Sequence, residues 1–241
     1  MPSPVLLAVS HGTSDAAGAA DVHALVEAVR AAAPHLTVHE AFVDVQQPDV
    51  ASALEATDGP VVVVPMLLSS GFHVFHDLHG AVAHRSDAVV ADPLGPDPRL
   101  AEVLMRRLPT ARPTARPADS PVRLPEAPVV LAVAGSRDER SAVDAEGMAE
   151  QFAALLGRPV YLGYLAAREP ELGELLAPHP DAVVATYLLA RGYFFDLAVR
   201  RAHGHPIALP LLDGGRPPAE LTALVLERFR TAAAQLNRAH E

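Results

Sequence analysis

Three side chains in the first third of the chain have the types and spacing to do chemistry together. His11 follows an apolar, β-branched run, Asp44 closes a second such run, and His73 follows a third through Ser69-Ser70-Gly71-Phe72. Imidazole is both a common metal ligand and a proton carrier near neutral pH, and a carboxylate beside two imidazoles can share either task. Eight of the twelve histidines lie within the first 84 residues. Crowding alone selects none of them. His76 and His79, three and six residues beyond His73, read as one solvated helix face. Ser14 and Asp15 read as helix caps. Gly12 and Gly71 read as points of close backbone approach, in a turn or to a ligand.

The elements around these residues explain how they can meet. Residues 5–9 form a buried strand, 19–32 a helix, 37–43 a second strand, and Pro48 and Asp49 open a short helix to 56. Asp58-Gly59-Pro60 is a turn before a third strand at 61–67. A helix over 73–85, a strand at 88–91 and a helix begun by Asp97-Pro98 and ending near 108 complete the unit. Such βα repetition predicts a parallel sheet covered by helices on both faces. In open parallel sheets, ligands bind beyond the carboxyl ends of the strands, where His11, Asp44 and Ser69 to His73 all fall.

The unit occurs twice. Residues 5–15 (VLLAVSHGTSD) parallel 129–138 (VVLAVAGSRD), 42–48 (FVDVQQP) parallel 164–170 (YLAAREP), and 62–71 (VVVPMLLSSG) parallel 183–192 (VVATYLLARG). Three matches in one order at a nearly constant offset indicate duplication. Between the copies, prolines 109, 113, 117, 121, 125 and 128 interrupt helix and sheet ladders and favour an extended linker. The expected organisation is therefore two tandem flavodoxin-like α/β domains, residues 1–108 and 129–241, each a parallel sheet of about four strands, joined by a Pro-rich linker at 109–128. The repeat also acts as an internal control. His11 corresponds to Ala134, Asp44 to Ala166 and His73 to Phe194, whereas Gly12, Asp15, Pro48 and Gly71 keep their counterparts. Retained glycines and prolines read as fold requirements. Polar groups lost together read as a functional set present in one copy.

Composition excludes several chemistries. Half of the 241 residues are apolar and a fifth charged, as in a globular protein. With no cysteine, there is no thiol nucleophile, disulfide or iron–sulfur ligation. With no lysine, there is no P-loop lysine, Schiff base or pyridoxal phosphate chemistry, and no organic cofactor is expected. A formal net charge of −10 argues against a nucleic-acid partner, and an acidic ligand would need a local Arg patch or aligned N–H groups. No apolar run is long enough to span a membrane, and no signal pattern precedes the first strand, so a cytoplasmic protein is expected.

The segments Ser10-His11-Gly12-Thr13-Ser14-Asp15, Ala41-Phe42-Val43-Asp44 to Pro48, and Pro65-Met66-Leu67-Leu68-Ser69-Ser70-Gly71-Phe72-His73-Val74 to Asp77 resemble the type II sirohydrochlorin chelatases (CbiX/SirB-like). The likeness runs through both halves apart from the linker. It implies insertion of Fe2+ or Co2+ into the tetrapyrrole sirohydrochlorin, towards sirohaem or cobalamin, with two histidines at the cleft mouth that fall on His11 and His73. The family often has a Glu at the end of the second strand. Asp44 keeps the charge but is one methylene shorter. The implied chemistry suits these residues. Metallation replaces two pyrrole protons by a divalent ion, and two imidazoles with a carboxylate suit Fe2+, Co2+ or Ni2+ while leaving coordination positions open. His11 and His73 are expected to bind metal and accept protons, with Asp44 assisting. Gly12, Ser70 and Gly71 are expected to face the substrate, the N–H groups at Ser70 and Gly71 meeting its carboxylates. Arg137 and Arg191 are expected to contribute if the halves share a cleft. A single chain is expected to act as a pseudo-dimer of its halves.

Three other readings compete with this one. Phosphoryl transfer through a phosphohistidine needs an Arg before the His, where this chain has Ser10. A Ser10 nucleophile paired with His11 is poor geometry, because adjacent side chains at a strand end point apart. A different class is a non-catalytic protein that holds or delivers a divalent metal or a tetrapyrrole; turnover separates it from an enzyme.

Overall fold

A computed structural model describes residues 3–113 and 127–238, and of residues 72–76, 113 and 237 the backbone. The central part of the proline-rich segment lies outside the described residues. The first half runs β1 (Val5–Ser10), α1 (Ala16–Ala32), β2 (Val38–Phe42), α2 (Val50–Glu55), β3 (Val61–Pro65), α3 (Phe72–Val82), β4 (Ala88–Val90) and α4 (Pro98–Arg107). A 3-10 turn at Leu108–Thr110 leads to β5 (Arg112–Pro113). The second half runs β6 (Val129–Val133), α5 (Glu139–Leu156), β7 (Val160–Tyr164), α6 (Leu172–Leu176), β8 (Val183–Tyr187), α7 (Tyr193–Arg201), β9 (Pro206–Ile207) and α8 (Ala219–Arg238).

The first sheet has the order β2-β1-β3-β4, all parallel. The second has the order β5-β9-β8-β6-β7, parallel except for β5, which pairs antiparallel with β9 at the edge. Pro113 is tolerated there because an edge strand need not donate on both sides. The chain is thus an α/β protein with two parallel sheets flanked by helices, and the duplication extends to backbone detail. Ser10 is paired with Phe42 in one sheet and Val133 with Tyr164 in the other. Gly12 and Gly135 share a positive φ, as do Val45 and Ala167, and Pro48 and Pro170 both follow cis peptide bonds.

The strands sort their side chains with period two, as a pleated sheet requires. Leu7 and Val9 of β1 join Val61 and Val63 in one core on the outer face of the first sheet, beneath α2 and α3. Val130 and Ala132 of β6 do the same with Val184 on the second sheet. The alternate residues Leu6, Ala8, Val62 and Val64, with Val129, Leu131, Val133 and Ala185, belong to one core shared by both halves. Apolar strands buried on both faces are the signature of a parallel sheet covered on both sides.

The terminal helices cross over between the halves. Helix α4 packs against α5 and β8 of the second half, while α8 packs against α1, β3 and β4 of the first. Reciprocal arginines hold the exchange. Arg107 of α4 donates to the Leu211 carbonyl at 3.0 Å and pairs with Asp213. Arg228 of α8 donates to the Pro93 carbonyl at 2.8 Å and pairs with Asp97. Arg99 bridges α4 to Glu227 of α8 at 2.9 Å. Among the described residues no helix is long and apolar enough to cross a membrane.

Candidate functional site

The carboxyl ends of both sheets open on one cleft of about 610 Å3 between the halves. The β1–α1, β2–α2 and β3–α3 loops form one wall, and residues 133–136 and 187–194 form the other. Its size falls within the roughly 300–1,000 Å3 typical of small-molecule sites.

His11 lies at the end of β1 and lines this cleft, exposed. Its carbonyl accepts the Asp44 N–H at 3.0 Å, and its imidazole has no hydrogen-bond partner among the described residues. Gly12 turns the chain at φ 90°. A Cβ there would sit 2.0 Å from the Asp44 carbonyl oxygen, so no other residue fits without moving the β2–α2 loop. Thr13 N–H donates to Gln46 Oε1 at 2.9 Å, which braces the same two loops. Nothing in the sequence marks Gln46 for this brace; its counterpart Arg168 braces the second copy differently, donating to the Ser136 carbonyl at 2.6 Å. Asp15 rather than Ser14 caps α1, accepting the Gly18 N–H at 2.6 Å.

Asp44, expected beside the two histidines, is placed differently from His11. Its carboxylate accepts the N–H of Val45 at 2.7 Å, is exposed, and is not part of the cleft lining. This carboxylate shapes its own loop, a use open to any Asx residue at a turn. The next residue, Val45, does line the cleft, at φ 65° and 61% exposed. A β-branched side chain in the left-handed region is strained by about 1–3 kcal/mol. Ala167 takes the same conformation in the second copy, so the loop dictates the backbone and only the first copy places a branched side chain there.

The β3–α3 loop is held from across the cleft. Tyr187 O–H donates to the Leu68 carbonyl at 3.0 Å, Ser69 Oγ meets Ser141 Oγ at 3.1 Å, and Ser70 N–H donates to Asp144 Oδ2 at 2.7 Å. Burial pushes the Tyr187 phenol far above its ordinary range, so it stays a donor. The Ser70 N–H expected to meet substrate is therefore committed to Asp144. Gly71 lines the cleft at φ −58° with nothing within 4 Å of a Cβ position; it is neither a tight turn nor a close approach. His73 is the second residue of α3, whose first turn starts at the cleft edge; its side chain, like that of His76, lies outside the described residues. His79 is exposed on α3. Among the described residues, no three His, Cys, Asp or Glu side chains gather as a metal site.

The second-copy wall is apolar where the first is polar. Ala134 and Phe194, the counterparts of His11 and His73, both line the cleft. Arg191 lines it too, but its Nε and Nη2 donate to the two oxygens of Asp21, each at 2.7 Å. Asp21, only 4% exposed, needs that cation to balance its buried charge. Arg137 is exposed and outside the lining. The two arginines expected to serve an acidic ligand are thus a staple between the halves and a surface residue.

Residues 5–111 match the CbiX family model. The wall that carries His11 is the CbiX-like half. No curated protein matches the sequence. The whole fold is similar to that of SirB from Bacillus subtilis with Fe3+, at 20% identity, 96% coverage of each chain and a TM-score of 0.75. It is also similar to the sirohydrochlorin chelatase SirB from Bacillus subtilis subspecies spizizenii in complex with cobalt, at 18% identity, 96% coverage of each chain and a TM-score of 0.73. CbiX, the terminal enzyme for siroheme biosynthesis in denitrifying bacteria, matches at 19% identity, over 95% of this chain and 99% of that one, with a TM-score of 0.64.

Proposed function

We propose that this chain is a sirohydrochlorin metallochelatase, inserting Fe2+ or Co2+ into the tetrapyrrole. The observation that carries the reading is the imidazole of His11, exposed in the cleft of the CbiX-like half and without a hydrogen-bond partner among the described residues, together with its apolar replacement in the copy. The solved structures of similar fold, one with Fe3+ and one with cobalt, support a metal ion as the second substrate.

His11 and His73 hold the incoming ion with coordination positions left for the macrocycle. Two pyrrole nitrogens each release one proton as the ring binds the divalent ion, so the two charges gained with the metal balance the two lost as protons. As the ion passes to the ring, the imidazole nitrogens that held it are freed, and each can take one of the two protons near pH 7 before losing it to water. Asp44 orients the loop behind His11 and is not assigned a place in the ligand set. One chain supplies both walls of the cleft, and it acts as a monomer with pseudo-dimeric halves.

The test is optical. Sirohydrochlorin is mixed with Co2+ or Fe2+, and the macrocycle absorbance is followed with sub-stoichiometric protein. Several turnovers per chain are expected. A protein that merely carries metal or tetrapyrrole would give no acceleration beyond one equivalent, and that result would overturn the proposal.

A further inference from the structure

Seven large apolar side chains are exposed among the described residues, and three of them, Val45, Tyr193 and Phe194, line the cleft. Tyr193 is 67% and Phe194 38% exposed at the start of α7, with their rings edge to face and their centroids 5.4 Å apart. Metal handling by His11 does not call for aromatic rings here. Phe194 stands where the first copy has His73, so the second copy replaces an imidazole by an apolar ring at the cleft itself. Wet apolar surface on a concave wall marks a ligand that covers it.

The charges point the same way. Among the described residues lining the cleft, Arg191 alone is an Asp, Glu, Lys or Arg, and Asp21 already takes two of its donor groups. The chain carries a formal net charge of −10, an unfavourable field for a ligand with many carboxylates. A site built to grip carboxylates would present free cations. This one presents rings.

We infer that the second half is a face-recognition wall: Tyr193 and Phe194 pack on the planar conjugated face of the tetrapyrrole, whose carboxylates remain in solvent. Aromatic side chains suit a flat π surface in offset or edge-on contact, and the burial each ring gains is of the order that changes affinity about tenfold. The inference rests on the chelatase reading and deepens it. It gives the degenerate copy its own task, which is to choose a flat macrocycle by its face while the first copy handles the metal.

The experiment uses the full chain and metal-free sirohydrochlorin, with binding read from macrocycle absorbance and fluorescence, and Co2+ alone as a separate calorimetric probe. Tyr193→Ala and Phe194→Ala are each expected to raise the sirohydrochlorin Kd about tenfold while leaving Co2+ affinity and Tm unchanged. Leu155→Ala, exposed but outside the cleft, is expected to bind like the unaltered chain. Raising the salt concentration is expected to leave the Kd unchanged or to lower it, since no attractive charge pair is broken and the repulsion between the acidic chain and the ligand carboxylates is screened. Alanine variants that bind as tightly as the unaltered chain, or a steep loss of affinity with salt, would overturn the inference alone. An unaltered chain that binds no sirohydrochlorin would overturn the chelatase reading and this inference with it.

Discussion

His11 is used twice, its carbonyl tied to the Asp44 N–H and its ring left without a partner among the described residues. Loop geometry and ligand chemistry are therefore separable at neighbouring atoms. Asp44→Asn still offers an oxygen to Val45 N–H, so the metallation rate is expected to stay close to that of the unaltered chain; a large loss would return the carboxylate charge to the mechanism. Gly12→Ala should cost about 2 kcal/mol or more, because its Cβ meets a backbone carbonyl and the backbone is left-handed. Chemical denaturation would measure it, and a neutral result would mean that the two loops can separate. Gly12 was legible in the sequence because it persists in the copy. The direction of the Asp44 side chain was not, since a residue type at a strand end fixes the charge but not which N–H takes it.

At the scale of elements, α3 and its histidine are carried by a loop that the second half holds. Residues 68–70 make one hydrogen bond with β8 and two with α5. Tyr187→Phe removes the donor to Leu68 and is expected to cost about 1 kcal/mol of stability. Asp144 accepts the Ser70 N–H and so fixes the loop that leads into α3. Asp144→Ala should weaken Co2+ binding, and Asp144→Asn, whose amide oxygen can still accept the N–H, should restore it; failure of Asn to restore would show that charge rather than position matters. The caps of these elements were readable locally, as Asp15 and Asp97 accept N–H groups of their own first turns. The pairs that join the halves were not. Asp144 to Ser70 and Arg191 to Asp21 depend on how two sheets dock, and hydrophobic periodicity carries no record of docking.

At the scale of the molecule, the exchange of α4 and α8 makes the two halves share a core, and nothing in the repeat pattern announces which sheet a terminal helix will cover. Asp97 sits at the crossing. Burial raises its carboxyl pKa, but hydrogen bonds from Arg99 and the charges of Arg99 and Arg228 outweigh this and hold it below the ordinary 3.8. A lowered folded-state pKa gives stability that is present above that ordinary value and lost as the pH falls below it. Denaturation midpoints should therefore drop on going from pH 6 to pH 3, and drop less in Asp97→Asn; equal drops in both would remove Asp97 from the account. The most direct measurement for the whole molecule is multiple-turnover metallation of sirohydrochlorin by the unaltered chain and by His11→Ala. Sustained turnover is expected of the unaltered chain, lowered by about a hundredfold or more in His11→Ala, with the fold intact because the side chain is exposed. Turnover by His11→Ala at the unaltered rate would contradict this role for His11.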